Sequence, residues 1–175
     1  MDDFDFFHGS WSVANRRLTT PLADPDIPGV WEEFPGHTVV RPLFGGAGNI
    51  DEISFPTLGC QGVTLRLFDR ETGQWSIRWS DSRTGRLDPP LVGGFTGDRG
   101  DFHGEDTYAG RPIRVHFTWY RLGPDTARWE QEFSADGGLT WEHNWSMDFT
   151  RTGPALGGPA ATAGPRIAFT HDSLQ

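Results

Sequence analysis

Residues 61–150 repeat one unit, a run of alternating apolar and polar residues closed by a cluster of turn-forming residues. Repetition at this short spacing is typical of antiparallel β-structure. The clearest runs are QWSIRWSDS (74–82), IRVHFTWY (113–120), RWEQEF (128–133) and WEHNWSMDF (141–149). In each run one parity is apolar, and successive strand side chains point to opposite faces. The pattern therefore predicts a sheet with one tryptophan-rich wall that faces a shared interior.

The turn-forming clusters divide the chain into ten predicted strands. They cover 10–19, 30–43 (interrupted at Pro35 and Gly36), 49–55, 63–68, 75–81, 87–95, 101–107, 113–121, 127–134 and 140–151. Short consecutive connections enforce pairing between neighbours in the sequence. We therefore predict an all-β fold, an up-and-down antiparallel β-barrel of about ten strands, preceded by a short N-terminal lid segment at 4–11. An open sandwich is the alternative.

Length and composition favour one domain with a tail. A chain of 175 residues is long enough for one well-buried domain and short for two. We expect residues 1–151 to form the barrel domain. Residues 152–175 are rich in Gly, Pro and Ala, with too little apolar bulk to offset their ordering entropy, and are expected to form a flexible tail. No stretch approaches the ~20 apolar residues of a membrane span, and the N-terminus lacks the features of a secretory signal, so we expect a cytoplasmic protein without a membrane partner.

Charge and residue usage exclude several functions. The formal net charge is −9, and no basic run interrupts it, so nucleic acid is not expected as a partner. The chain contains no lysine, which excludes Schiff-base chemistry, pyridoxal phosphate attachment and a phosphate-binding loop. Cys60 is the single cysteine and the six histidines show no ligand spacing within a predicted strand. With no dinucleotide fingerprint either, we expect no cofactor and no metal.

Polar residues that share the apolar parity are the candidate pocket residues, because a buried polar group without a partner costs about 1–3 kcal/mol. Asp81, Asp106, Gln131, His143 and Asn15 occupy such positions. A histidine and an aspartate in an aromatic cavity could act as general base and orienting group, which makes His143 and Asp81 the catalytic candidates. A structural role is the alternative for each, as a turn initiator for Asp81 and an inert rim residue for His143.

The predicted ligand-binding wall combines the inward aromatic residues with two of these polar residues. Its members are Trp75, Trp79, Asp106, Trp119, Trp129, Gln131 and Trp145. The opposite parity carries mixed charges, which usually form cross-strand pairs on a solvated face. A bulge of one residue would reverse the parity, and the pocket would then contain Arg114, His116 and Glu130 and accept an anionic ligand.

One local motif predicts a hairpin. The sequence SADGGLTW (134–141) fits the pattern Ser-x-Asp-x-Gly-x-Thr-Trp and resembles the Asp-box repeat of sialidases and related propellers. Asp136 can accept backbone amides of the turn, the glycines permit positive φ, and Trp141 can pack over the base. The motif occurs once in a chain too short for a propeller, so it predicts a turn and not a glycosidase.

The chain also resembles a largely uncharacterised bacterial group of small calycin-like (lipocalin-like) barrel proteins. The resemblance rests on FDFFHGSW, WEEFPG, RPLFGGAGNIDE, LRLFDRETGQWSIRWSDSRTGRLDPP and RWEQEFSADGGLTWEHNWSMDFTR, and spans residues 4–151. Members begin with a Phe-Asp-Phe-x-x-Gly-x-Trp element, matched here by Phe4, Asp5, Phe6, Gly9 and Trp11. The resemblance implies the barrel and, by analogy of fold, an apolar small-molecule ligand.

These observations favour a small-molecule-binding barrel whose aromatic cavity accepts an apolar or polycyclic ligand. A cofactor-free cyclase or isomerase of bacterial natural-product biosynthesis, acting in that cavity through acid and base side chains, is the alternative. A plain interaction module would follow if no cavity existed. A homodimer is left open.

Overall fold

The computed structural model describes residues 3–24 and 26–154, which form a closed barrel of ten antiparallel strands. The strands are β1 (Gly9–Leu18), β2 (Trp31–Leu43), β3 (Gly48–Phe55), β4 (Cys60–Asp69), β5 (Gln74–Asp81), β6 (Leu91–Thr96), β7 (Arg99–Tyr108), β8 (Arg111–Gly123), β9 (Thr126–Ser134) and β10 (Glu142–Gly153). Each pairs with its neighbours in the sequence, and β1 closes the barrel against β10. The predicted up-and-down barrel is therefore confirmed. Within the described ranges, no helix has the length and apolar character needed to cross a membrane.

The apolar parity faces the interior in most strands, as predicted. Trp75 and Ile77 of β5, Trp119 of β8 and Phe149 of β10 are all buried. Strand β4 is different, because its apolar residues Val63, Leu65 and Leu67 are only half-buried, whereas Thr64 and Arg66, on the other parity, are buried. Thr64 and Arg66 therefore belong to the interior wall.

Two details of the predicted strands are wrong: the interruption of β2 at Pro35 and Gly36, and the start of β6 at residue 87. Strand β2 is continuous through Pro35, which pairs with Ala14 of β1. Pairing of β2 with β3 begins only at His37, so at Pro35 strand β2 is hydrogen-bonded to β1 alone. Proline has no backbone N–H, and this is tolerated where one side of the strand is unpaired. Strand β6 begins at Leu91 rather than residue 87, because Pro89 and Pro90 interrupt the ladder and Leu87 forms only an isolated bridge.

The N-terminal segment closes one end of the barrel. A 3-10 helix, Asp5–Phe7, inserts Phe4 and Phe7 into the core, where each is 1% exposed. The Phe7 ring lies 4.7 Å from the Trp119 ring, and two Arg151 nitrogens donate to backbone carbonyls of the segment at 2.6 Å each. The predicted lid is thus a plug packed inside the barrel, at the β1 entry end.

The Asp-box turn forms the hairpin between β9 and β10, as expected. Asp136 accepts the backbone N–H groups of Leu139 and Thr140 and the hydroxyls of Ser134 and Thr140. These donors hold the pKa of Asp136 well below its usual range. Most of the predicted tail, residues 155–175, lies outside the described residues.

Candidate functional site

A cavity of about 410 Å³ lies inside the barrel, between the plug and the end of the barrel where β1 leads into β2. Phe7 of the plug lies at its closed end, and Pro21 and Pro89 from two loops lie at its open end. We refer to the closed end as the floor and the open end as the mouth. The volume falls within the range of about 300–1,000 Å³ typical of small-molecule sites.

Nine aromatic side chains line the cavity. The aromatic lining residues are Phe7, Trp79, Tyr108, Phe117, Trp119, Trp129, Phe133, Trp145 and Phe149. Trp129 meets Phe117 and Trp145 edge to face, with centroid distances of 4.8 and 5.6 Å. Edge-to-face contacts fix ring orientation. The wall is therefore an ordered aromatic surface rather than a loose collection of apolar groups.

A buried ion pair lies at the floor. Arg66 Nη1 donates to Asp51 Oδ1 at 2.6 Å and to Asn49 Oδ1 at 2.9 Å, and Thr38 Oγ1 donates to Asp51 Oδ2 at 2.9 Å. The side chains of Arg66 and Asp51 are each 4% exposed. The guanidinium also lies over the rings of Phe7 and Trp119, at 5.2 and 5.3 Å from their centroids. The floor of the cavity thus contains a buried, charged guanidinium that hydrogen bonds hold in place.

Three donors around the floor have no acceptor among the described residues. They are Nε of Arg66, Nε1 of Trp119 and Nδ2 of Asn49, and the first two belong to side chains that line the cavity. All three residues are at most 3% exposed. Most buried polar groups in proteins are hydrogen-bonded, so three unpaired donors in one region are unusual.

Carboxylates lie at the mouth. Asp88 and Asp106 line the cavity there, and Arg17 is also a lining residue. Arg17 is engaged with Glu32, to which Nε donates at 2.9 Å. Burial, followed by the nearby charges of Asp106 and Asp81, raises the pKa of Asp88. The mouth therefore contains two carboxylates, and the ionised form of Asp88 is destabilised by its surroundings.

Replacing Asp88 with asparagine should raise the melting temperature at pH 7. Because the folded-state pKa of Asp88 is raised, the native protein binds more protons than the unfolded chain in the pH range just above 3.8, and stability falls as pH rises through that range. The gain in Asp88→Asn should shrink as the pH falls through that range, because the native aspartate takes up a proton before the unfolded one does. Thermal melts of the parent protein and of Asp88→Asn from pH 4 to 7 measure the difference in melting temperature. Glu71→Gln, at an exposed position, is the control. A gain that does not change with pH would contradict the electrostatic cause.

Six of the seven residues predicted to bind ligand line the cavity. The lining members are Trp79, Asp106, Trp119, Trp129, Gln131 and Trp145. Gln131 donates to Asn144 Oδ1 at 2.8 Å, and Trp145 Nε1 donates to Asn15 Oδ1 at 3.1 Å, so these polar side chains are held in place. Trp75 is not a lining residue, because it packs against the plug, 5.1 Å from Phe4, and donates to Asp3.

The two catalytic candidates do not meet in the cavity. The ladder between β9 and β10 shifts between His143 and Trp145, and this bulge pairs His143 with Glu132 of the outer face. The His143 ring packs 5.8 Å from Trp31, so its predicted inward orientation is wrong. Asp81 accepts hydrogen bonds from the backbone N–H and the guanidinium of Arg83, which lower its pKa. It initiates the turn after β5.

The reversed parity, with Arg114, His116 and Glu130 in the pocket, is also wrong. None of the three lines the cavity. His116 lies on the outer face, where its two ring nitrogens contact Asp101 and Glu132 at 2.9 and 3.0 Å. The wall that faces the cavity is the aromatic one.

The floor and part of the mouth escape sequence reasoning. No pattern marks Arg66, because the apolar residues of its strand occupy the opposite parity. Asp51 and Asn49 are buried polar residues in a strand that alternates with Ile53 and Phe55 on the same parity, which is a usable signal. Asp88 stands in a loop of prolines and carries no signal. Among the described residues, no group of three or more metal-ligating side chains is assembled.

No protein-family model matches the chain, and no curated protein matches it either. Among solved structures, it is similar to an S-type phycobiliprotein lyase, CPES from Guillardia theta, with a TM-score of 0.51. The match covers 85% of this chain and 90% of that chain at 12% sequence identity. At this identity the likeness supports the fold alone, a closed antiparallel barrel.

Proposed function

We propose that this protein is a small-molecule-binding barrel that encloses an apolar or polycyclic ligand. The observation that carries the proposal is the cavity of about 410 Å³, walled by aromatic side chains and closed at one end by the plug. Apolar ligands gain free energy by leaving water for such a wall, at about 25 cal/mol per Å² of buried apolar area. The expected partner is an apolar small molecule.

The ordered polar groups support selective binding over a nonspecific apolar core. Gln131, Asn144 and Asn15 are held by hydrogen bonds within or beside the wall. A few fixed polar groups among aromatic residues are typical of sites that orient a ligand. The cyclase or isomerase alternative receives less support, because His143 and Asp81, the side chains assigned to proton transfer, lie apart from the cavity.

The test is binding of Nile red, a neutral polycyclic dye. We expect 1:1 binding with a blue-shifted, enhanced emission. Val115→Trp should weaken binding at least tenfold, because Val115 lines the cavity and the indole would occupy ligand space. Val92→Trp, at a position that is 40% exposed and not part of the cavity lining, is the matched control and should bind normally.

Circular dichroism and a thermal melt of each variant establish that it is folded. Equal binding by the Val115 and Val92 variants would place the dye outside the cavity. Absence of Nile red binding by the parent protein would overturn the proposed function.

A further inference from the structure

The charges that line the cavity do not balance at its mouth. Of the two lining arginines, Arg66 is paired with Asp51 at 2.6 Å, and Arg17 donates to Glu32 at 2.9 Å. The other charged lining residues are Asp88 and Asp106. Both are partly exposed, and neither forms an ion pair within the part of the chain that the structure describes. Two accessible carboxylates at the mouth are therefore left without a cation.

Asp88 and Asp106 lie on neighbouring segments of the chain. Strand β6 pairs antiparallel with β7, and a Cβ at Gly104 would lie 2.9 Å from the carbonyl oxygen of Pro90, which precedes β6. Asp106 follows Gly104 by two residues on the same face of β7, and Asp88 precedes Pro90 by two. Because the segments are antiparallel, both steps run toward the mouth. Burial and then the charge of Asp106 raise the pKa of Asp88, as expected for neighbouring carboxylates.

Aromatic rings accompany these carboxylates. The backbone N–H of Asp88 donates to the carbonyl oxygen of Trp79 at 2.8 Å, which fixes Asp88 beside β5. Tyr108 follows Asp106 by two residues on β7, and both Trp79 and Tyr108 line the cavity. The faces of aromatic rings attract cations. The mouth thus combines two carboxylates with two rings of the type that accept an organic cation.

The charge of a ligand decides how well it fits this mouth. A positive group would offset the repulsion between Asp88 and Asp106 and stabilise their ionised forms. A neutral ligand would leave both charges uncompensated and would also remove water from them. A ligand carboxylate would add a third negative charge.

Resting on the proposed function, we infer that the ligand is a polycyclic organic amine that carries a positive charge. Its ammonium group lies at the mouth beside Asp88 and Asp106, which serve as its counter-ions. Its ring system lies along the aromatic wall toward Trp129 and Trp145. The cavity therefore prefers organic amines to neutral polycyclic compounds, and it disfavours fatty acids and other carboxylates.

Equilibrium dialysis at pH 7 with three ligands of similar shape tests the inference. The ligands are 9-(aminomethyl)anthracene, which is cationic, 9-anthracenemethanol, which is neutral, and anthracene-9-carboxylate, which is anionic. We expect the amine to bind about fivefold more tightly than the alcohol, or better, and the carboxylate to bind most weakly. An amine that bound no more tightly than the alcohol or the carboxylate would overturn the inference. Binding of Nile red alone would overturn the inference and leave the proposed function standing, whereas failure of all four compounds to bind would overturn both.

The double variant Asp88→Asn with Asp106→Asn tests the carboxylates themselves. It keeps the shape of both side chains, so it should still bind the alcohol, while the preference for the amine should fall to within about twofold. Circular dichroism and a thermal melt establish that the variant is folded. An unchanged preference for the amine would overturn the inference.

Glu105→Gln with Glu71→Gln is the matched control, because it also removes two negative charges. Both residues are exposed and neither lines the cavity, and Glu105 is the neighbour of Asp106 on the opposite face of β7. The control should keep the parent preference for the amine. An equal loss of preference in the two double variants would trace the preference to the formal net charge of −9 rather than to the mouth, and would overturn the inference.

Discussion

Replacing Arg66 with methionine is expected to lower the free energy of unfolding by about 3–5 kcal/mol, because it leaves the buried carboxylate of Asp51 without its charged partner. Asp51 is 4% exposed, and Thr38 is its other side-chain donor among the residues that the structure describes. Asn49 would lose the donor to its oxygen as well. Methionine fills a similar volume, so the loss would report the uncompensated charge rather than a cavity. Urea unfolding at pH 7 measures it.

The double variant Arg66→Met with Asp51→Asn is the control for this prediction. Removing both charges should recover at least half of the loss, since the residual amide can still accept from Thr38. Arg17→Met provides a comparison at the mouth, where the guanidinium is 24% exposed and its removal should cost far less. If Arg66→Met cost no more than Arg17→Met, water would have to reach Asp51 at the floor.

The barrel was predictable because its determinants are local and repeated. Alternation in β5, β8, β9 and β10 identifies the inward parity, and turn clusters such as 134–141 give nearest-neighbour connections. The pattern also gave the right wall, with Trp79, Trp119, Trp129 and Trp145 at the cavity. A closed sheet that pairs only sequence neighbours needs little further information.

The errors arise where a strand departs from strict alternation, so that a side chain faces the side of the sheet opposite to the predicted one. A bulge of one residue in β10 places His143 on the outer face, although Trp145 two residues later points inward. In strand β4 the polar parity, and not the apolar one, faces the interior. Arg66 can be buried there because it donates to Asp51, which lies 15 positions earlier on β3. Neither a bulge nor a partner on another strand leaves a mark in the local sequence.

The depth of the plug explains why the cavity occupies only part of the barrel. The sequence FDFF predicts a covering segment but not its position. In the structure the Phe4 ring centroid lies 5.1 Å from that of Trp75 and 5.0 Å from that of Phe95. The chain's own aromatic side chains therefore fill the interior at the plug end. Trp75 therefore serves packing, while the tryptophans nearer the mouth remain available to a ligand. Where this division falls depends on long-range packing rather than on strand parity.

Gly62→Ala is expected to destabilise the protein by about 1–3 kcal/mol and to weaken Nile red binding at least tenfold, because the Trp79 indole rests on Gly62. A Cβ at position 62 would lie 1.7 Å from Trp79 Cη2, and the other two closest atoms belong to the same indole. The ring must therefore move, and because Trp79 lines the cavity, its movement changes the shape of the proposed ligand space. Urea unfolding and dye titration measure the two effects.

Gly94→Ala is the matched control, since a Cβ at Gly94 of β6 would meet nothing within 4 Å. It should change stability by no more than about 0.5 kcal/mol and leave binding intact. Trp79→Leu should remove most of the penalty of Gly62→Ala when the two are combined, because the smaller side chain no longer competes with the new methyl group. A Gly62→Ala variant that bound dye as well as Gly94→Ala would show that the position of the Trp79 ring does not define the ligand space.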